Sequence, residues 1–301
     1  MSRSVLVAGS ANLDFVVRAS HVPAPGETVL GRGFATFPGG KGANQAVAAA
    51  RAGGVPVRML LALGQDASAA PIEESLRSAG VQLHVVRDDS EPTGCAFICL
   101  SDDAENAITV APGANNALRD EHLPSLAGVS HLLLQLETPV DTVTAYARRA
   151  RAAGVTVVLN AAPARSLPAE LLDATDILVV NEGELAAIAG TTEGVEAALA
   201  GIRVPCVVVT LGSQGCLARH GQSLIRQSAF PVRAVDTTAA GDTFCGVLVA
   251  ALSRSEPLSQ ALRRASAAAA LACTHVGAQA SIPHTHDVDT LLAQDSATIP
   301  A

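Results

Sequence analysis

Asp236-Thr237-Thr238-Ala239-Ala240-Gly241-Asp242-Thr243-Phe244-Cys245-Gly246 runs from small polar residues straight into an apolar stretch, Phe244 to Leu252, of helical character. Ala240, Gly241 and Asp242 therefore fall where a helix begins. The first turn of a helix presents unpaired backbone N–H groups and a partial positive charge, so it attracts anions. A carboxylate at that spot stands where another anion would bind, which suggests chemical work there. A base beside a phosphate-sized anion hole points to phosphoryl transfer to a hydroxyl. The competing reading makes Asp242 an N-cap and Gly241 a tight turn, and for an isolated A-G-D it would prevail. The choice rests with the remainder of the chain.

Working outward, short apolar runs recur at 5–8, 59–63, 132–136, 155–159, 177–180 and 206–211, each with the length and β-branched content of a buried strand. Ala-rich helical stretches lie among them at 43–52, 68–79, 139–152, 183–200, 242–252 and 258–273. This alternation predicts a doubly wound α/β fold, a mainly parallel β-sheet with helices on both faces. Ser10-Ala11-Asn12, Gln135-Leu136-Glu137, Asn160, Asn181-Glu182 and Thr210-Leu211-Gly212 collect at the C-terminal ends of the strands, where open α/β sheets bind ligands. Segments 13–37 and 92–110 break the rhythm and read as antiparallel excursions. The tail from Asp287 is expected to end in a short helix, with 295–301 loose.

Composition narrows the function. The formal charge of −8 leaves no basic surplus for binding nucleic acid nonspecifically. The six cysteines (95, 99, 206, 216, 245 and 273) show no C-x-x-C pair or metal-ligand spacing and read as buried hydrophobes in a reducing compartment. No apolar run reaches membrane-spanning length and nothing N-terminal reads as a signal peptide, so a cytoplasmic protein is expected. Of the 20 basic residues only one, Lys41, is lysine, which suggests that a compact ammonium is needed there. His284 and His286 read as surface residues rather than metal ligands.

Lys41 lies in Gly39-Gly40-Lys41-Gly42-Ala43-Asn44-Gln45-Ala46. This is not a Walker A loop, and no G-x-G-x-x-G follows the first strand. The segment resembles the N-terminal signature of the PfkB, or ribokinase-like, sugar kinases, and 236–246 resembles their C-terminal signature. The resemblance covers nearly the whole chain. It implies an α/β kinase domain from 1–12, 38–91 and 111–301, with 13–37 and 92–110 forming a small β-strand lid that joins two copies into a homodimer. The implied reaction is ATP-dependent phosphorylation of D-ribose at its 5-hydroxyl, with fructose, 2-deoxyribose or adenosine as alternative acceptors. A non-catalytic sugar-binding relative is a further alternative, although Asp242 and Gly241, whose loss would mark one, are both present.

The resemblance also assigns roles. Asp242 is the general base, and the N–H groups of Ala239, Ala240, Gly241 and Asp242 form the anion hole. Asn12, Asp14, Gly39, Gly40, Lys41, Asn44, Glu137 and Asp242 hold the sugar. That set makes chemical sense, because a polyol needs carboxylates and carboxamides for its hydroxyls and glycines for close backbone approach. Asn181 and Glu184 match an N-x-x-E motif in which Glu184 holds Mg²⁺ through water, consistent with the few protein ligands this ion prefers. Thr210, Gly212, Ser213 and Gly215 form a nucleotide loop, with Gly241 also at the nucleotide. Ser266, Ala269 and Cys273 flank adenine, Ser266 standing where relatives often carry a His. Asp236, Thr238, Cys273, Val276, Ala278 and Ser281 are implied to hold an activating K⁺.

Overall fold

The protein is described here by a computed structural model covering residues 4–101, 106–191 and 193–297. The N-terminal part contains β1 (Ser4–Ala8), β2 (Asn12–Arg18), β3 (Gly33–Gly39), α1 (Lys41–Arg51), β4 (Val57–Gly64), α2 (Ala69–Ser78) and β5 (Gln82–Asp88). Then follow β6 (Cys95–Leu100), β7 (Asn106–Ala111), β8 (Val129–Leu134), α3 (Val140–Ala152), β9 (Thr156–Asn160), α4 (Ala169–Asp173) and β10 (Ile177–Asn181). The C-terminal part comprises α5 (Glu182–Ala189), α6 (Val195–Gly201), β11 (Cys206–Thr210), β12 (Cys216–His220), β13 (Ser223–Gln227), α7 (Ala240–Ser253), α8 (Leu258–Ala272) and α9 (Thr285–Ala297).

Nine strands form one sheet in the order β13-β12-β11-β10-β9-β8-β1-β4-β5, parallel except for the hairpin strands β12 and β13. Its central strands are buried on both sides, as their continuous Val/Leu runs require. One face packs against α1, α7 and α8, where Ala46, Ala49, Ala250 and Ala268 allow close helix approach, and the other carries α3 and Tyr146. A separate four-stranded sheet, β3-β2-β6-β7, is built from the two excursions. Its hairpin partners are antiparallel, while β2 and β6 pair in parallel. Among the described residues no helix is long and apolar enough to cross a membrane.

All six apolar runs are strands of the large sheet. Two expectations need correction. The single helix expected over 183–200 is two, because Gly190 ends α5 in a left-handed conformation (φ 67°) and Gly194 opens α6 at φ 105°. The tail is also more ordered than expected: α9 begins at Thr285, and Asp295 is held by the Arg263 guanidinium at 2.7 Å. Residues 298–301 of that tail lie outside the described residues.

Candidate active site

The C-terminal ends of β1, β8, β9, β10 and β11 deliver Asn12, Glu137, Asn160, Asn181 and Thr210 to one edge of the sheet, facing the starts of α1 and α7. Helix α7 begins where the sequence requires, but the glycine does not make the turn. Ala239 does, at φ 58°, and its carbonyl accepts the Thr243 N–H at 2.8 Å. A left-handed alanine costs about 1–2 kcal/mol, a strain of the kind that gathers at functional sites. Gly241 sits in ordinary helical geometry, and a Cβ built there would meet nothing within 4 Å. The N–H groups of Gly241 and Asp242 find no acceptor among the described residues, and no side chain caps the helix.

Asp242 is 8% exposed, and both of its carboxylate oxygens are held. Oδ2 accepts Asn44 Nδ2 at 3.0 Å and Oδ1 accepts Gln45 Nε2 at 2.9 Å. The N-cap reading is thereby set aside, since this carboxylate bonds to α1 rather than to its own helix. Lys41, Asn160, Asn181, Glu184, Thr210, Gly241 and Asp242 line a common cavity of about 240 Å³. Lys41 stands among carboxylates, and Asp242 above all, then Glu137 and Glu184, hold its ammonium pKa above the ordinary value against the cost of burial. Glu184 forms a capping box with Asn181: its Oε2 accepts the Asn181 N–H at 2.8 Å, and Asn181 Oδ1 accepts the Glu184 N–H at 2.8 Å. Burial raises the Glu184 pKa.

Glu137 Oε2 accepts the Ser10 hydroxyl at 2.6 Å and the Lys41 backbone N–H at 3.0 Å, which fixes the entry to α1. Gly40 allows that entry, because at φ 87° a Cβ would stand 2.8 Å from the Asn12 nitrogen. At Gly39 a Cβ would collide with the Asp14 carboxylate. Asp14 lines a second cavity of about 250 Å³, between the small sheet and the segments carrying Asp236, Thr238 and Val276. Burial, then the charges of Glu137 and Asp242, push its pKa up to about 7. An acid whose pKa is raised on folding stabilises the fold fully below its unfolded value of 3.8, and that stability is lost as pH rises through about 7. Asp14→Asn is therefore expected to raise Tm by roughly 2–6 °C at pH 8 with no gain at pH 3.5. Melting curves across that pH range check it, and an equal gain at both ends would refute it.

The other expected residues divide. Asp236 ties the approach to α7 onto the segment after α8: Oδ1 accepts the Thr238 N–H at 2.9 Å and hydroxyl at 2.6 Å, and Oδ2 accepts the Gly277 N–H at 2.9 Å. The Cys273 carbonyl accepts the Val235 and Asp236 N–H groups, and the Ala278 carbonyl accepts the Ser281 hydroxyl. Gly212 and Ser213 are exposed beyond β11 and do not line the 240 Å³ cavity. Gly215 answers a packing need, since at φ 93° a side chain would collide with the Gln227 carbonyl. Ser266 is buried with its hydroxyl 4.0 Å from Cys216 Sγ, and Ala269 and Cys273 are half-buried.

Two participants escaped the site assignment. Gln45 touches Asp242 directly, a role its place in a Gly/Ala-rich helix start does not signal. Asn115, in the connection before β8, accepts the Ala11 N–H at 2.9 Å and donates to Asn12 Oδ1 at 2.8 Å. Nothing in the local sequence marks it.

The pfkB family carbohydrate kinase pattern matches residues 2–285. The chain belongs to that family. This carbohydrate kinase is 38% identical over 296 residues to the ribokinase of Haemophilus influenzae, covering 94% of this chain and 96% of the relative. The crystal structure of ribokinase from Thermotoga maritima superimposes with a TM-score of 0.91 at 36% identity, over 97% of this chain and 99% of that one. The ribokinase of Arabidopsis thaliana, solved with ribose and ATP, gives a TM-score of 0.89 at 35% identity over 97% and 99% of the two chains.

Proposed function

We propose that this chain transfers the γ-phosphoryl group of ATP to the 5-hydroxyl of D-ribose, giving D-ribose 5-phosphate and ADP. The observation that carries the reading is Asp242, a carboxylate clamped by two carboxamides at a helix start whose N–H groups are unspent. The likeness to ribokinases supports ribose as the acceptor. Asn12, Asp14, Asn44, Glu137 and the Gly39–Gly40 backbone hold the sugar hydroxyls. Asn44 Oδ1 is buried and unpartnered, an acceptor kept for such a group. Asp242 takes the hydroxyl proton as the new O–P bond forms and the bond to the ADP oxygen breaks. The N–H groups of Gly241 and Asp242 stabilise charge on the transferring group, and Lys41 offsets the local carboxylates.

Glu184 lines the nucleotide cavity with no protein donor on Oε1 among the described residues, which suits Mg²⁺ held through water. When bound, that ion neutralises triphosphate charge. Asp236 ties the approach to α7 onto the segment after α8, and it would hold K⁺ together with Thr238, Cys273, Val276, Ala278 and Ser281, stiffening that approach. Across the outer face of the small sheet, Phe15 stacks on Phe34 and Phe97, which are 66% and 55% exposed, a surface suited to lid-to-lid homodimerisation.

ADP release with Mg-ATP tests the reading. D-Ribose should exceed 2-deoxyribose, fructose and adenosine in kcat/KM by at least about tenfold, and K⁺ should raise turnover above that in choline. Turnover with another acceptor and none with ribose would overturn the sugar assignment, and equal rates in K⁺ and choline would overturn the cation site.

A further inference from the structure

We propose that Gln45 is a positioning residue for phosphoryl transfer, orienting the Asp242 carboxylate from within a buried cluster of carboxamides that includes Asn160 and Gln135. The inference rests on Asp242 being the base. Gln45 and Gln135 are both 0% exposed. Both hydrogens of Gln45 Nε2 are spent, one on Asp242 Oδ1 and one on Asn160 Oδ1, each at 2.9 Å. Its Oε1 accepts Gln135 Nε2 at 2.6 Å. A flipped Gln45 amide would set its oxygen against the Asp242 carboxylate and Asn160 Oδ1, both acceptors, so one orientation is held. Asn160 Nδ2 donates to the Val179 carbonyl at 3.2 Å, which turns its oxygen toward Gln45. Gly246, one turn beyond Asp242, has no side chain where the Gln45 carbonyl sits, so α1 and α7 meet at this point.

The cluster thus has a direction, with Gln135 donating to Gln45 and Gln45 to Asp242. With Asn44 on Oδ2, the carboxylate cannot rotate, and its remaining lone pairs stay aimed at the cavity. Packing alone would be served by an apolar side chain. A fully buried carboxamide is costly unless its polarity is used, and Gln45 uses all of its own, whereas Gln135 leaves its Oε1 without a partner.

The test is Gln45→Met in the full chain, alone and combined with Asp242→Asn. Gln45→Met should lower kcat roughly 10–100-fold with KM for ATP within about 3-fold, and should cause less than about 2-fold further loss in the Asp242→Asn background. Wild-type kcat, or the same fold-loss in both backgrounds, would overturn the proposal. Asp242→Asn with full turnover would instead overturn the base itself, a separable result. If Gln45→Met does not fold, Gln135→Met decides: it leaves the Asp242 donors in place but removes the donor to Gln45 Oε1. Its kcat should fall roughly 3–10-fold at constant KM, and a wild-type kcat would overturn the proposal.

Discussion

Asp242→Asn is expected to lower kcat roughly 10²–10⁴-fold while moving KM for ATP less than about 3-fold. The substitution removes the only proton acceptor that stands both on the cavity wall and at the start of α7 among the described residues. The fold around it changes little. An amide has the carboxylate's volume, and its oxygen still accepts from Gln45. Its nitrogen would face Asn44 Nδ2, but Asn44 Oδ1 has no partner, so a flip of the Asn44 amide turns that opposition into a hydrogen bond. The fold should therefore hold, with Tm within a few degrees of wild type. The loss belongs to chemistry rather than to structure, and steady-state kinetics beside a melting curve separates the two. Turnover within about threefold of wild type would remove Asp242 from the role of base.

The contrast between Asp242 and Gln45 marks how far the sequence could be read. Asp242 was legible because a carboxylate at a helix start with small neighbours stands where another anion would bind, and that coincidence draws attention. Gln45 carries no such mark. A lone carboxamide in an Ala-rich helix is unremarkable until the fold places Gln135, Asn160 and Asp242 around it, from positions far away in the chain. The same division holds for the architecture. Strands buried on both faces announce themselves as Val/Leu runs, whereas β5, at the sheet edge, mixes Gln82, His84 and Arg87 with its apolar residues and shows no such run. The break between α5 and α6 turns on Gly190 and Gly194, since glycine inside an Ala-rich stretch does not by itself fix a stop.

Gly241→Ala is expected to lower kcat roughly 10²–10³-fold, the scale of losing one preorganised donor to a developing anion, with Tm unchanged or slightly higher. The glycines of this site are glycines for different reasons. Gly40 is fixed by its φ of 87° and by backbone 2.8 Å away, so a side chain there strains the fold itself. Gly241 has neither constraint, and within a helix glycine is less stable than alanine by about 0.5–1 kcal/mol. Nothing in the protein accounts for its presence, so the account lies in what enters the cavity. On the proposed mechanism, a methyl at 241 would stand in the space the transferring phosphoryl group needs and hold it off the N–H groups of Gly241 and Asp242. Gly201, in α6, supplies the matched control, because a Cβ there also meets nothing within 4 Å and its φ lies outside the left-handed range. Gly201→Ala should leave kcat unchanged. If Gly241→Ala also kept wild-type kcat, the transferring group could not sit against the first turn of α7, and the anion hole would have to be sought elsewhere along the cavity.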